Sequence, residues 1–149
     1  MGELQQSQSD LLHESLELFL SRGNELSAKL HENLRATNLE FRDLFARTDL
    51  SAHYAAFLGA LEFVVRNYEH RPVLERTFRE LGLRHTRYGA RPEHFAVFGD
   101  CMLRAMGQLM GARWTLPLDL AWRTAFENMA EMMLDGASSD DLPRTARAG

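Results

Sequence analysis

The chain contains six histidines, at positions 13, 31, 53, 70, 85 and 94, and these are the side chains best suited to do chemistry. In "LGLRHTRYGARPEHF", residues 81 to 95, an apolar helical stripe ends on His85 just before a glycine and a proline turn the chain. His85 lies eleven residues after Leu74, close to three helical turns, and so shares a face with Leu74, Phe78 and Leu81. His53 repeats the feature, since positions 53, 57, 61 and 64 form one stripe. His31 follows Leu30 at the centre of another helical pattern. A buried imidazole needs either a hydrogen-bond partner or a metal. His13, His70 and His94 fall beside charged residues or at helix ends and read as surface groups.

Taken singly, a histidine on an apolar stripe is an ordinary core or boundary residue with a satisfied ring. Two of them on separate helices, around a core rich in Phe and Met, suit a flat apolar cofactor with a metal at its centre. Zinc suits them less. A structural zinc site takes about four closed ligands, and this chain has one cysteine and no HxH, HExxH or CxxC. There is no GxSxG and no glycine-rich phosphate loop, so Ser–His–Asp and Cys–His catalysis have no local support. No catalytic side chain is assigned.

With 149 residues the chain forms one domain able to bury a sizeable core without a disulfide or structural metal. Apolar residues make up 45% and charged residues 26%, and the net charge is −4 with the signs interspersed. No Lys/Arg cluster marks a nucleic-acid surface. The lone Cys101 sits in an apolar helical pattern and reads as a small buried hydrophobe, in keeping with a reducing compartment. No apolar run approaches the ~18 residues of a membrane span, and "MGELQQSQSD" has no hydrophobic centre. A cytoplasmic protein without a membrane partner is expected, as monomer or homodimer.

Helical periodicity carries these residues from end to end, with no alternating strand pattern, and predicts an all-α fold of six to seven helices. The first helix follows Ser9 or Asp10 and carries Leu11, Leu12, Leu16, Phe19 and Leu20, and the second is marked by Leu26, Leu30 and Leu34. "ATNLEFRDLFART" is a helical corner with Phe41, Leu44 and Phe45 as buried candidates. The next helix runs from Asp49 or Ser51 to about Tyr68, and its small Ala52, Ala55, Ala56, Gly59 and Ala60 are expected to let another helix approach. Pro72 suits the first turn of the helix ending at His85, and Pro92 opens a longer one through Phe95, Phe98 and Met110. The last helix carries Ala121, Trp122, Phe126 and Met133. Residues 136–149 lack periodicity and read as a flexible polar tail or linker after a domain of residues 1–135.

Three segments in this order resemble bacterial single-domain globins, the haem domain of flavohaemoglobins and sensor globins. "RHTRYGARPEHFAVFG" is similar to the family's proximal histidine, short corner, Pro-Glu helix start, aromatic and closing glycine. "DLAWRTAFENMAEMML" resembles the final helix with its Ala-Trp pair, and "NLEFRDLF" the corner whose last phenylalanine packs on the haem. The resemblance covers about residues 11 to 135 and implies a globin fold around a b-type haem. By position, His85 matches the proximal iron ligand, Phe45 the haem-packing phenylalanine, and His53 the distal Gln or His. Phe57 matches the apolar residue closing the distal pocket. His31, fourteen residues before Phe45, stands where flavohaemoglobins usually carry a ligand-binding tyrosine. The implied cofactor pocket draws on Phe41, Phe45, His53, Phe57, Leu61, Leu81, His85, Phe95, Phe98 and Phe126. His85 is the proximal ligand, His53 a possible distal ligand, and His31 a distal-pocket group less suited to ligation.

Two departures bear on activity. Phe95 replaces the family's proximal tyrosine, and no glutamate occurs at the matching place near Ala137. Without those partners His85 is expected to hydrogen-bond a backbone carbonyl and act as a neutral ligand. The resemblance therefore implies a protein that binds O₂, NO or CO reversibly, as a carrier or gas sensor. One distal N–H donor changes affinity for such a ligand about tenfold to a hundredfold. The alternative is nitric oxide dioxygenase activity, which needs a separate reductase because the chain shows no flavin or nicotinamide site. In the sensor reading the polar tail leads to an output domain of a longer protein.

Overall fold

The structure, a computed structural model, describes residues 2–37, 50–87 and 91–148. The helical corner containing Phe41, Leu44 and Phe45 lies outside the described residues. Six α-helices follow one another: α1 (Gly2–Ser21), α2 (Gly23–Arg35), α3 (Leu50–Arg66), α4 (Arg71–Arg87), α5 (Pro92–Met110) and α6 (Leu116–Ala148). A 3₁₀ turn, Gly111–Arg113, separates α5 from α6. There is no strand among the described residues, as the periodicity predicts.

Apolar spacing decides which face each helix buries. On α1, Leu12, Leu16 and Phe19 are buried together with Ser15. The Ser15 hydroxyl donates to the Leu11 carbonyl at 2.6 Å and accepts from the indole N–H of Trp122 at 2.9 Å. Phe19 meets the same indole edge to face at 5.7 Å, so α1 is fastened to α6 by one aromatic contact and one buried hydrogen bond. On α2, Leu26, Leu30 and Leu34 are buried, and the Asn33 amide donates to the Cys101 carbonyl at 3.1 Å and to Gln108 at 3.3 Å. This joins α2 to α5. Cys101 is buried as a small hydrophobe, and burial pushes its thiol pKa up.

The core has two parts. The larger one holds side chains of α1, α2, α3, α5 and α6, including Leu61 and Trp122, both fully buried. The smaller one joins Val64, Leu74 and Phe78 to Met129, Met132 and Met133. Phe57 and Phe126 pack against both parts, so they stand at the seam between them.

Close helix approach occurs at glycines, and in a different place from the one expected. Ala52, Ala55, Ala56 and Gly59 of α3 are exposed, and nothing lies within 4 Å of a Cβ built on Gly59. The intimate contact is between α4 and α6. A Cβ at Gly82 would run into the Met133 backbone carbonyl, and one at Gly136 into the Arg79 backbone carbonyl. The two glycines thus bring the backbones of α4 and α6 together reciprocally.

Residues 136–148, which lack periodicity in sequence, continue α6 as helix, and Gly136 is buried in the crossing with α4. Two further expectations are corrected. The first helix starts at Gly2, not after Ser9 or Asp10. His94 is buried and not a surface group, because it sits in the first turn of α5 and its Nδ1 accepts the Arg91 backbone N–H at 3.0 Å. Arg91 is extended, Pro92 follows with its fixed φ, and the His94 ring at N3 takes the part that Glu or Gln plays in a capping box.

The crossing yields a stability prediction. Gly82→Ala should destabilise the protein by about 1–3 kcal/mol through overpacking against the α6 backbone. Thermal unfolding should show a midpoint lower by several degrees. An unchanged midpoint would mean that the helices separate at no cost.

Candidate functional site

The last turn of α4 presents His85. Its Nδ1–H donates to the Leu81 carbonyl at 2.8 Å, and the Thr86 hydroxyl donates to the Gly82 carbonyl at 3.0 Å. With the proton on Nδ1, the Nε2 lone pair is the one available to a metal. The ring is half-buried, with the Phe95 ring centroid 6.2 Å away. The hydrogen bond to a backbone carbonyl is the one expected from the absence of proximal tyrosine and glutamate partners.

His53 comes from α3. Its ring stands edge-on to Phe98 at 5.9 Å and to Tyr54 at 5.9 Å. Phe98 in turn meets Phe57 at 4.8 Å, and Phe57 stacks on Phe126 at 6.3 Å. Burial pushes the His53 pKa down, and positive charge on His85 pushes it the same way. Phe98, which His53 meets, lies three residues after the Phe95 that faces His85, so the two imidazoles stand against adjacent turns of α5 although 32 residues (85 minus 53) separate them in sequence. Near neutral pH His53 is accordingly a neutral imidazole.

His31 stands apart from this pair. Its Nδ1 lies 3.1 Å from the Tyr54 hydroxyl oxygen, and its ring meets the Tyr54 ring edge to face at 6.3 Å. Burial pushes the Tyr54 phenol up to about 12, so it keeps its proton. His31 and Tyr54 also line a cavity of about 930 Å³ between α1, α2 and α3, whose wall includes neither His53 nor His85.

The structure thus brings His53, Phe57, Leu81, His85, Phe95, Phe98 and Phe126 to the neighbourhood of the core seam. Leu61 lies deep in the larger core. His31 is linked to the group through Tyr54. Phe41 and Phe45 lie outside the described residues. Tyr54 was missed from sequence: it follows His53 directly, and adjacent helical residues point about 100° apart, so nothing in the spacing marked it as a neighbour of both histidines.

The donor set fits a metal that is already held by a planar ligand. Among the described residues no three His, Cys, Asp or Glu side chains gather to hold an ion. What the site offers is one oriented imidazole, a second neutral imidazole beside it, and aromatic faces around both. A porphyrin would supply the further ligands that such a site lacks, and Phe57, Phe95, Phe98 and Phe126 would offer it apolar cover.

Comparison with known proteins accords with this geometry. The chain is 21% identical over 148 residues to a flavohemoprotein of Vibrio cholerae, covering 98% of this chain and 38% of that protein. It is 24% identical over 95 residues to a neuroglobin of Dissostichus mawsoni, covering 64% of this chain and 60% of that one. A solved bacterial globin from Campylobacter jejuni superposes with a TM-score of 0.77 at 18% identity, covering 90% of this chain and 96% of that one. A protein of Rhodothermus marinus, named as a candidate nitric oxide dioxygenase and engineered into a carbene transferase, has a TM-score of 0.77 at 20% identity. It covers 96% of this chain and 97% of that one. The globin family profile matches residues 34–133, two thirds of the sequence, and the chain belongs to the globin family.

Proposed function

We propose that this chain holds a haem b against His85 and reversibly binds a diatomic gas (O₂, NO or CO) there, as a carrier or gas-sensor domain. The observation that carries this reading is the orientation of His85: Nδ1 tied to the Leu81 carbonyl and Nε2 left as the ligand atom, with His53 on Phe98 one turn along α5 from Phe95. When bound, the haem supplies an iron centre at which a small gas is held. Leu81, Phe57, Phe95, Phe98 and Phe126 cover its apolar faces and keep water away, with Phe41 and Phe45 assigned by resemblance. With one cysteine and no CxxCH, the chain has no covalent haem attachment motif, which favours the b type. His53 would be the second residue to hold the iron when no gas is present.

Nitric oxide dioxygenase activity is the second reading, favoured by the likeness to the Rhodothermus marinus protein. The chain spans 38% of the Vibrio cholerae flavohemoprotein, so that protein's whole activity does not transfer to it. Phe95 has no hydroxyl to donate, and the Leu81 carbonyl is a neutral acceptor, so the proximal imidazole is less electron-donating than one paired with a carboxylate. Reaction with NO would be sustained only with electrons from a separate reductase; in the sensor reading the partner is a fused output domain. No helix among the described residues is long and apolar enough to cross a membrane.

Absorption spectra of the haem-reconstituted protein, oxidised, reduced and with CO, test the reading. Low-spin bands in the resting wild type should give way to a high-spin spectrum in His53→Ala, with CO still binding. Absence of a Soret band would remove the haem assignment, and loss of the low-spin bands in His31→Ala alone would exchange the two histidines. Repeated NO additions to the purified protein with NADH and no reductase should be consumed at most once per haem. Sustained NADH-dependent consumption would promote the dioxygenase reading.

A further inference from the structure

The smaller part of the core is not filled. A cavity of about 160 Å³ lies where α6 passes the end of α3 and the start of α4. Its inner walls are Val64, Leu74, Ala125, Met129 and Met132, each at most 6% exposed. The half-buried Tyr68 and Asn128 and the exposed Arg71 form its outer side. None of the residues grouped around His53 and His85 is among these, so the cavity stands apart from the site described above.

Protein interiors leave few voids larger than a water molecule, and an empty one forfeits contacts on every wall. Water relieves this one little, because a buried water needs several polar partners and the inner side chains are apolar. A dry apolar cavity of about 150 Å³ takes a molecule the size of benzene. The outer side adds hydrogen-bond donors, the Arg71 guanidinium and the Asn128 side-chain amide. Glu75 accepts the Arg71 Nε–H at 3.0 Å, which holds the guanidinium at the start of α4 and leaves its terminal amino groups for another acceptor. The Tyr68 hydroxyl reaches Gln8 of α1 at 3.5 Å, so this side chain serves as a wall. Among the described residues no carboxylate lines the cavity, and an anion entering it meets no like charge there.

We propose that this cavity is a second binding site, for a small monocarboxylate whose apolar body is about the size of a benzene ring. The body fills the space between Val64, Leu74, Ala125, Met129 and Met132, and the carboxylate takes the terminal amino groups of Arg71 and the Asn128 amide. The site is independent of the haem and gas reading.

Methyl ¹H–¹³C spectra of the full-length protein with labelled methionine test it, because Met129 and Met132 line the cavity. They are recorded on the protein as purified and again with haem and CO added, during titration with benzoate, toluene or naphthoate. Benzoate should shift both methyls in both forms, with a Kd no weaker than about 1 mM. Toluene matches the body without the head and should bind about tenfold more weakly, and naphthoate exceeds the walls and should shift neither methyl. Arg71→Gln, at an exposed position, should weaken benzoate about tenfold and leave toluene unchanged. Ala125→Leu should fill the cavity and abolish both, and Arg71→Gln decides the matter if that variant fails to fold. Toluene binding as tightly as benzoate, or benzoate binding unchanged in Arg71→Gln, would overturn the proposal. So would unmoved Met129 and Met132 methyls, or benzoate shifts confined to the haem-free form, which would place the probe in the empty haem pocket.

Discussion

The backbones of α4 and α6 lie against each other at Gly82 and Gly136, and the placement of His85 depends on that contact. A helix held through side chains can shift as those side chains repack. A helix seated backbone to backbone has little such latitude, because interiors packed at close to crystal density do not deform smoothly. Gly82 is three residues before His85, almost one turn, so the fixed point and the residue proposed to hold the iron share the end of the same helix. The Leu81 carbonyl then fixes the ring that the helix has delivered. Position and orientation of the imidazole thus come from two neighbouring residues, one acting through the absence of a side chain and the other through its main chain.

The same site has an electrostatic character that sets what it does. Burial keeps two of its polar groups neutral: the His53 imidazole, whose pKa is lowered, and the Tyr54 phenol, which keeps its proton. Aromatic rings fill the remainder. Such a pocket favours holding a small neutral molecule by modest hydrogen bonds over moving electrons and protons through it. Two candidate distal histidines would compete for one position if they were equivalent. Their surroundings make them inequivalent: His31 shares a hydrogen bond with Tyr54 and lines a separate cavity, whereas His53 stands against Phe98.

Much of the scaffold was legible because it is written in local chemistry. Period-3.6 stripes marked the helices, Pro72 and Pro92 marked two starts, and Phe57 at the seam fell on the same stripe as His53. The carbonyl bond of His85 was legible only through the family resemblance, in which Phe95 stands in place of a proximal tyrosine. Features that depend on a partner element were not. Gly136 has the composition of a helix end, and only the passing α4 backbone makes it a packing residue. The small residues of α3 suggested a close helix contact that solvent occupies instead. His94 looked solvent-facing because Arg91 and Glu93 surround it in sequence, yet its ring turns back to cap α5. Tyr54 has no local signature, since its partner on α2 is 23 residues away.

The central claim is that His85 binds the iron, and the iron–histidine stretching band in the resonance Raman spectrum of the reduced protein reports that bond directly. Wild type should show the band, and His85→Ala should lose it together with much of its haem retention. Added imidazole should restore part of both. A His85→Ala protein with the band and the visible spectrum unchanged would contradict the assignment.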